Sequence, residues 1–150
     1  MSTWKDLLNG DVLTDAIKNG VNEKTIDFAK VFGDYLVKEE SYFDGKRKVV
    51  DKEKLTTNQV RKFFGEVKRQ QMAGYTRSTF VLLKPKLAYA VGRANKNSKI
   101  KDFYEVLATA IDTVISDSIE NKQEAFKNFI DLFEAIVAYH KYAEAKNAQK

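Results

Sequence analysis

The chain has 150 residues, 43% hydrophobic and 12% aromatic, with 26 Lys/Arg against 21 Asp/Glu for a net charge of +5. That length supports one domain with its own core, and a single proline favours helices over a turn-rich sheet. No cysteine occurs, which excludes disulfides, thiolate metal sites and cysteine nucleophiles together.

The distribution of charge says more than its total. Residues 1–45 hold five Lys and nine Asp/Glu, and residues 102–150 repeat those counts, so each flank is net −4. Between them, residues 46–101 hold 16 Lys/Arg against Asp51, Glu53 and Glu66, net +13. A basic middle between acidic flanks is the pattern of a surface for a polyanion, and equally of basic helices paired against acidic ones; both readings stand. The opening stretch MSTWKDLLNGDVLTD has early acids and no apolar run, unlike a secretory signal. No window has the apolar length of a membrane span. A cytoplasmic protein without membrane contact is the expectation.

In chain order, residues 1–24 read as a short helix or a loosely packed segment. Thr25 is placed to cap a helix through about Lys38, with Phe28, Val31, Phe32, Tyr35 and Leu36 on one face. Residues 41–54, SYFDGKRKVVDKEK, break that periodicity. Asp44-Gly45 is a turn signal and would suit a small hairpin, but a basic surface loop is the expectation. Thr56 and Gln59 have capping-box spacing, with Leu55 and Val60 as its hydrophobic staple. Val60, Phe63, Phe64, Val67 and Gln71 then follow helical spacing until Gly74. Ser78 opens FVLLKPKLAYAVGRA, in which Pro85 marks either a kink or the first turn of a shorter helix. Ser98 starts a helix striped by Ile100, Phe103, Tyr104, Leu107, Ile111, Val114 and Ile115. Asn121 with Glu124 caps the last, striped by Phe126, Phe129, Ile130, Phe133, Ile136, Val137 and His140. The sum is an all-α, single-domain bundle over residues 1–150, about five helices, mostly antiparallel.

Signals for catalysis are thin. The one histidine, His140, ends an apolar stripe and reads as structural, with no second histidine or cysteine to complete a metal site. No GxxxxGK[ST] or GxGxxG loop is present, and carboxylates such as Glu39-Glu40 read as solvated helix ends. No active site and no cofactor are expected.

The basic segment VRKFFGEVKR, residues 60–69, is more informative. With Val60, Phe63, Phe64, Val67 and Gln71 defining the buried face, Arg61 and Lys68 stack along one edge of the opposite side. Lys62 and Arg69 stack along the other. Gly65 falls between the rows, where glycine costs about 0.5–1 kcal/mol of helix stability relative to alanine. The arrangement is a shallow trough that a sugar-phosphate backbone could enter, or a place where a neighbouring helix approaches. On the next helix Lys86, Tyr89, Ala90 and Arg93 share a stripe, with Lys84 and Lys96 near its ends. A tyrosine on a basic face can stack a base of single-stranded nucleic acid. It can equally pack at the edge of the core, which is the expectation for Tyr89.

The blocks KLTTNQVRKFFGEVKR (54–69), LLKPKLAYAVGR (82–93) and FIDLFEAIVAYHKY (129–142) resemble the small helical subunit of type III-A CRISPR interference complexes, the Csm small-subunit family. The first two blocks are the more specific, and residues 1–50 carry no matching motif. The resemblance implies a non-catalytic helical subunit, present in several copies and so self-associating, alongside the other subunits of a ribonucleoprotein. It further implies that the subunit lines the groove where guide RNA pairs with target RNA, touching backbones with basic residues. Arg61, Lys62, Lys68, Arg69, Lys84, Lys86 and Arg93 lie within the matching blocks.

Other classes remain open at this point. The segment from Ser78 could be the recognition helix of a DNA-binding regulator, although MAGYTRS exceeds the usual three- to four-residue turn. The basic face could dock an acidic protein. A metal-dependent nuclease fits least.

Overall fold

The computed structural model describes residues 3–148. Within them the chain runs α1 (Trp4–Leu8), α2 (Val12–Asn19), α3 (Glu23–Leu36), β1 (Glu40–Asp44), β2 (Arg47–Lys52), α4 (Thr57–Ala73), α5 (Arg77–Phe80, a single turn), α6 (Leu83–Arg93), α7 (Ile100–Ile115) and α8 (Lys122–Ala148). The fold is mostly helical, but it is neither strictly all-α nor built of five helices.

Local chemistry accounts for several boundaries. Thr56 and Gln59 form the expected capping box at α4: the Gln59 N–H donates to Thr56 Oγ1 at 3.2 Å, and the Thr56 N–H to Gln59 Oε1 at 2.9 Å. Asn121 likewise accepts from the Glu124 N–H at 3.0 Å and opens α8. Pro85 stands in the first turn of α6, where an N–H has no helical partner to lose. Thr25, expected as a cap, is the third residue of α3; the cap is Asn22, and the two side chains close a reciprocal box.

Two segments differ from expectation. The N-terminal residues are packed: Trp4 lies 4.8 Å from the Phe32 ring, and Leu13, Ala16 and Ile17 are buried. The buried amide of Asn128 on α8 donates to the Ile17 carbonyl at 2.8 Å, tying α2 down. Helices of five and eight residues are too short to display a clear 3.6-residue period, so this segment carries only a weak signal in sequence. Residues 40–52, most of them in the 41–54 stretch expected as a basic loop, form an antiparallel hairpin closed at Gly45-Lys46, with Gly45 at φ +65°.

The hairpin exposes β1 throughout, so alternating burial could not announce it. Its base is held instead by distant groups. Lys99 Nζ reaches Glu40 at 3.0 Å and the Tyr35 carbonyl at 2.8 Å, and the Asn97 amide donates to the Val50 carbonyl at 3.2 Å. Burial pulls the Lys99 ammonium below its ordinary pKa, opposed by Glu40, while burial and the hydrogen bond to Asp102 push the Tyr35 hydroxyl up.

Helix α8 is the axis of the bundle, packing against α2, α3, α4 and α7. At its crossing with α3, Gly33 admits the backbone of Tyr139 and His140; a Cβ there would sit 2.8 Å from the His140 nitrogen. His140 is buried and donates from Nε2 to the Leu55 carbonyl at 2.9 Å, the structural role its position on the stripe implied. An aromatic cluster of Phe63, Phe80, Phe103, Phe129 and Phe133 fills the space between α4, α5, α7 and α8, and so fixes the orientation of α4.

Candidate nucleic-acid interface

Burial of Val60, Phe63 and Val67 turns the opposite face of α4 outward. Gln70, rather than Gln71, completes the inner stripe, and its amide donates to the Thr79 carbonyl at 2.9 Å; Gln71 is exposed. Helix α6 buries Leu83 and Leu87, packs against both α4 and α7, and brings its own basic stripe alongside.

The seven basic residues singled out from the sequence divide into two groups. Arg61, Lys62 and Arg93 form no salt bridge among the described residues. The other four are paired internally. Lys68 turns to Glu134 of α8 and lies 5.4 Å from the Phe64 ring. Lys84 bonds Asp112 of α7 at 2.7 Å, which holds its ammonium above the usual range. Arg69 and Lys86 converge on a single carboxylate, Glu66, whose side chain is only 15% exposed. Lys86 above all, with Arg69, holds the Glu66 carboxyl below the ordinary glutamate range, so it stays ionised at neutral pH.

Gly65 is exposed, and a Cβ built on it would meet nothing within 4 Å. None of the described helices occupies the space above it, so packing among them does not require the glycine. The symmetric two-rimmed trough read from the helical wheel is broken, however. Lys68 is drawn towards α8, whereas Lys62 and Glu66 line the cleft towards α6 and Arg69 turns back to Glu66.

Between α4 and α6 lies a cleft of about 410 Å³. Lys62, Lys86 and Arg93 contribute its cationic groups, Phe63, Ala90 and Ile100 its apolar surface, and Tyr89 one wall. Tyr89, expected at the edge of the core, is instead 67% exposed, with the Arg93 guanidinium 5.8 Å from its ring centre.

Sequence reasoning missed Glu66 as a member of this face. Its spacing to Arg69 was visible, but its pairing with Lys86, twenty positions on, is tertiary. Residues 74–82 between α4 and α6 contain the separate turn α5, which lengthens the connection beyond that of a helix-turn-helix. Among the described residues no group of three or more His, Cys, Asp or Glu is placed to hold a metal, and no helix is long and apolar enough to cross a membrane.

Fold and face together define a small, mostly helical protein with a basic cleft between two packed helices. A family model described as Csm2 Type III-A matches residues 36–146, taking in the hairpin, the cleft and α8 almost to its end. The chain belongs to this family, the structural small subunits of type III-A CRISPR effector complexes, and the other subunits of such a complex are its partners. No curated protein and no solved structure matches the chain.

Proposed function

We propose that this chain is a non-catalytic RNA-binding subunit that lines the groove for guide and target RNA through sequence-independent phosphate contacts. Its place of action is then the cytoplasm, and it associates with further copies of itself within the complex. The observation that carries the RNA reading is the α4–α6 face. There Lys62 and Arg93 form no salt bridge among the described residues, and neither does Arg61 on the exposed side of α4, although acidic residues abound elsewhere in the chain. Cations left unpaired in this way keep their full charge for a polyanion. Lys86 and Arg69 form a reserve, exchangeable from Glu66 to phosphate. Lys68 and Lys84 are bound to α8 and α7 and contribute less.

The test is charge reversal at Arg61, Lys62 and Arg93 within the assembled complex. RNA retention should fall for every RNA sequence and depend less steeply on salt, with the helical circular dichroism unchanged. Retention equal to that of the unaltered complex would sink the proposal.

A further inference from the structure

Phosphate binding by itself leaves two features of the α4–α6 face without a role. Cations that reach a sugar-phosphate backbone need only project from a helix, yet here they surround a cleft with an apolar interior of Phe63, Ala90 and Ile100. Its volume, about 410 Å³, lies in the range of sites that enclose small organic groups. Tyr89 is also among the most exposed large aromatics of the described residues, although it sits on a helix whose neighbouring leucines, Leu83 and Leu87, are buried.

Glu66 narrows what can enter. Its carboxylate lines the cleft and stays ionised, held by Lys86 and Arg69. A phosphate pushed inside would lose its hydration against the apolar interior and compete with Glu66 for Lys86; a neutral, flat, partly apolar group would do neither. Lys62 from α4 and Lys86 and Arg93 from α6 line the same cleft and bring positive charge to it.

Resting on the RNA-binding reading above, we infer that this cleft receives an unpaired base of single-stranded RNA. The base stacks on Tyr89 over the apolar interior, while Lys62, Lys86 and Arg93 hold the phosphates beside it. Arg93 is already placed against the tyrosine ring, so one residue serves both the stack and the backbone. Stacking tolerates any base, since every base has a π-face, and the binding stays independent of sequence. Engagement of the strand is therefore uneven: some nucleotides meet only charge, and one inserts.

The experiment compares two probes on the full chain across a salt series: a short single-stranded oligoribonucleotide and an abasic ribose-phosphate oligomer of equal length. The RNA should bind about ten- to a hundredfold more tightly than the abasic backbone at each salt, with parallel salt dependence. Tyr89→Ala should erase that difference without changing the slope, and Tyr89→Phe should keep it. An RNA carrying 2-aminopurine should change its fluorescence on binding to the unaltered chain but not to Tyr89→Ala. Equal, salt-dependent binding of both probes would overturn the base site and leave the phosphate reading standing. Failure of both probes to bind would overturn the two readings together.

Discussion

Gly33 on α3 and Gly65 on α4 are both interior helix glycines, and each costs its helix about 0.5–1 kcal/mol relative to alanine. Their surroundings are opposite. A Cβ at Gly33 would lie 2.8 Å from backbone atoms of Tyr139 and His140, whereas a Cβ at Gly65 would meet nothing within 4 Å. At the α3–α8 crossing the missing side chain serves packing within the chain. On α4 no described neighbour uses it, and the open side of the glycine lies on the helix that carries Arg61, Lys62 and Arg69. Two positions with the same propensity cost thus differ in use: packing within the chain requires the glycine at one and, among the described residues, does not require it at the other.

Substitutions at these positions break the comparison most directly. Gly33→Ala forces two backbones apart and should lower stability by about 2–3 kcal/mol, read as a shift in the denaturation midpoint without a change in slope. An unshifted midpoint would mean that the crossing is slack. Next in size, Arg61→Ala, Lys62→Ala and Arg93→Ala combined should leave stability near that of the parent. They should reduce the slope of log affinity against log salt by about 2 on single-stranded RNA, about 0.7 for each phosphate no longer neutralised.

Glu66→Gln sharpens the same contrast from the other side. Releasing Lys86 and Arg69 should tighten RNA binding about threefold or more and steepen its salt dependence. Weaker binding would instead mean that Glu66 itself touches the RNA. The substitution also has a pH signature. Because the folded-state pKa of Glu66 is depressed, its contribution to stability is in place above the ordinary glutamate range and is lost as pH falls through the lowered value. Glu66→Gln should therefore destabilise the chain near neutrality and flatten its acid limb, measured as denaturation midpoint against pH.

The smallest effect is expected at Gly65. Gly65→Ala should raise stability by about 0.5–1 kcal/mol, since its Cβ enters open space. Gly65→Leu should match that gain while weakening RNA binding; unaltered binding would show that the backbone does not pass over this turn.

Much of the architecture was legible from local chemistry. The capping boxes and periodic apolar runs located α4, α7 and α8, because a buried face repeats every 3.6 residues wherever a helix is long enough to show it. The basic residues were legible as residues, and the one histidine as structural. Short elements were not legible: α1 and α2 lack length, and the hairpin lacks a buried face. Its base is held by Glu40 and Val50 meeting Lys99 and Asn97, and Glu53 just beyond it meets Asn95, each more than forty positions away in sequence.

By itself, then, the sequence determined the charge map, the long helices and their inner faces, all of which follow from neighbours along the chain. Tertiary structure decided which cations are engaged and which are free. Lys68, Lys84 and Lys86 look equivalent to Lys62 in sequence, yet each ends on a carboxylate presented by α8, α7 or α4. It also decided that Tyr89 faces a cleft and not the core, because only the packing of α6 against α4 and α7 fixes the rotation of its helix. Side-chain type and spacing set what a residue can bind; the element folded opposite it sets whether that capacity is already satisfied.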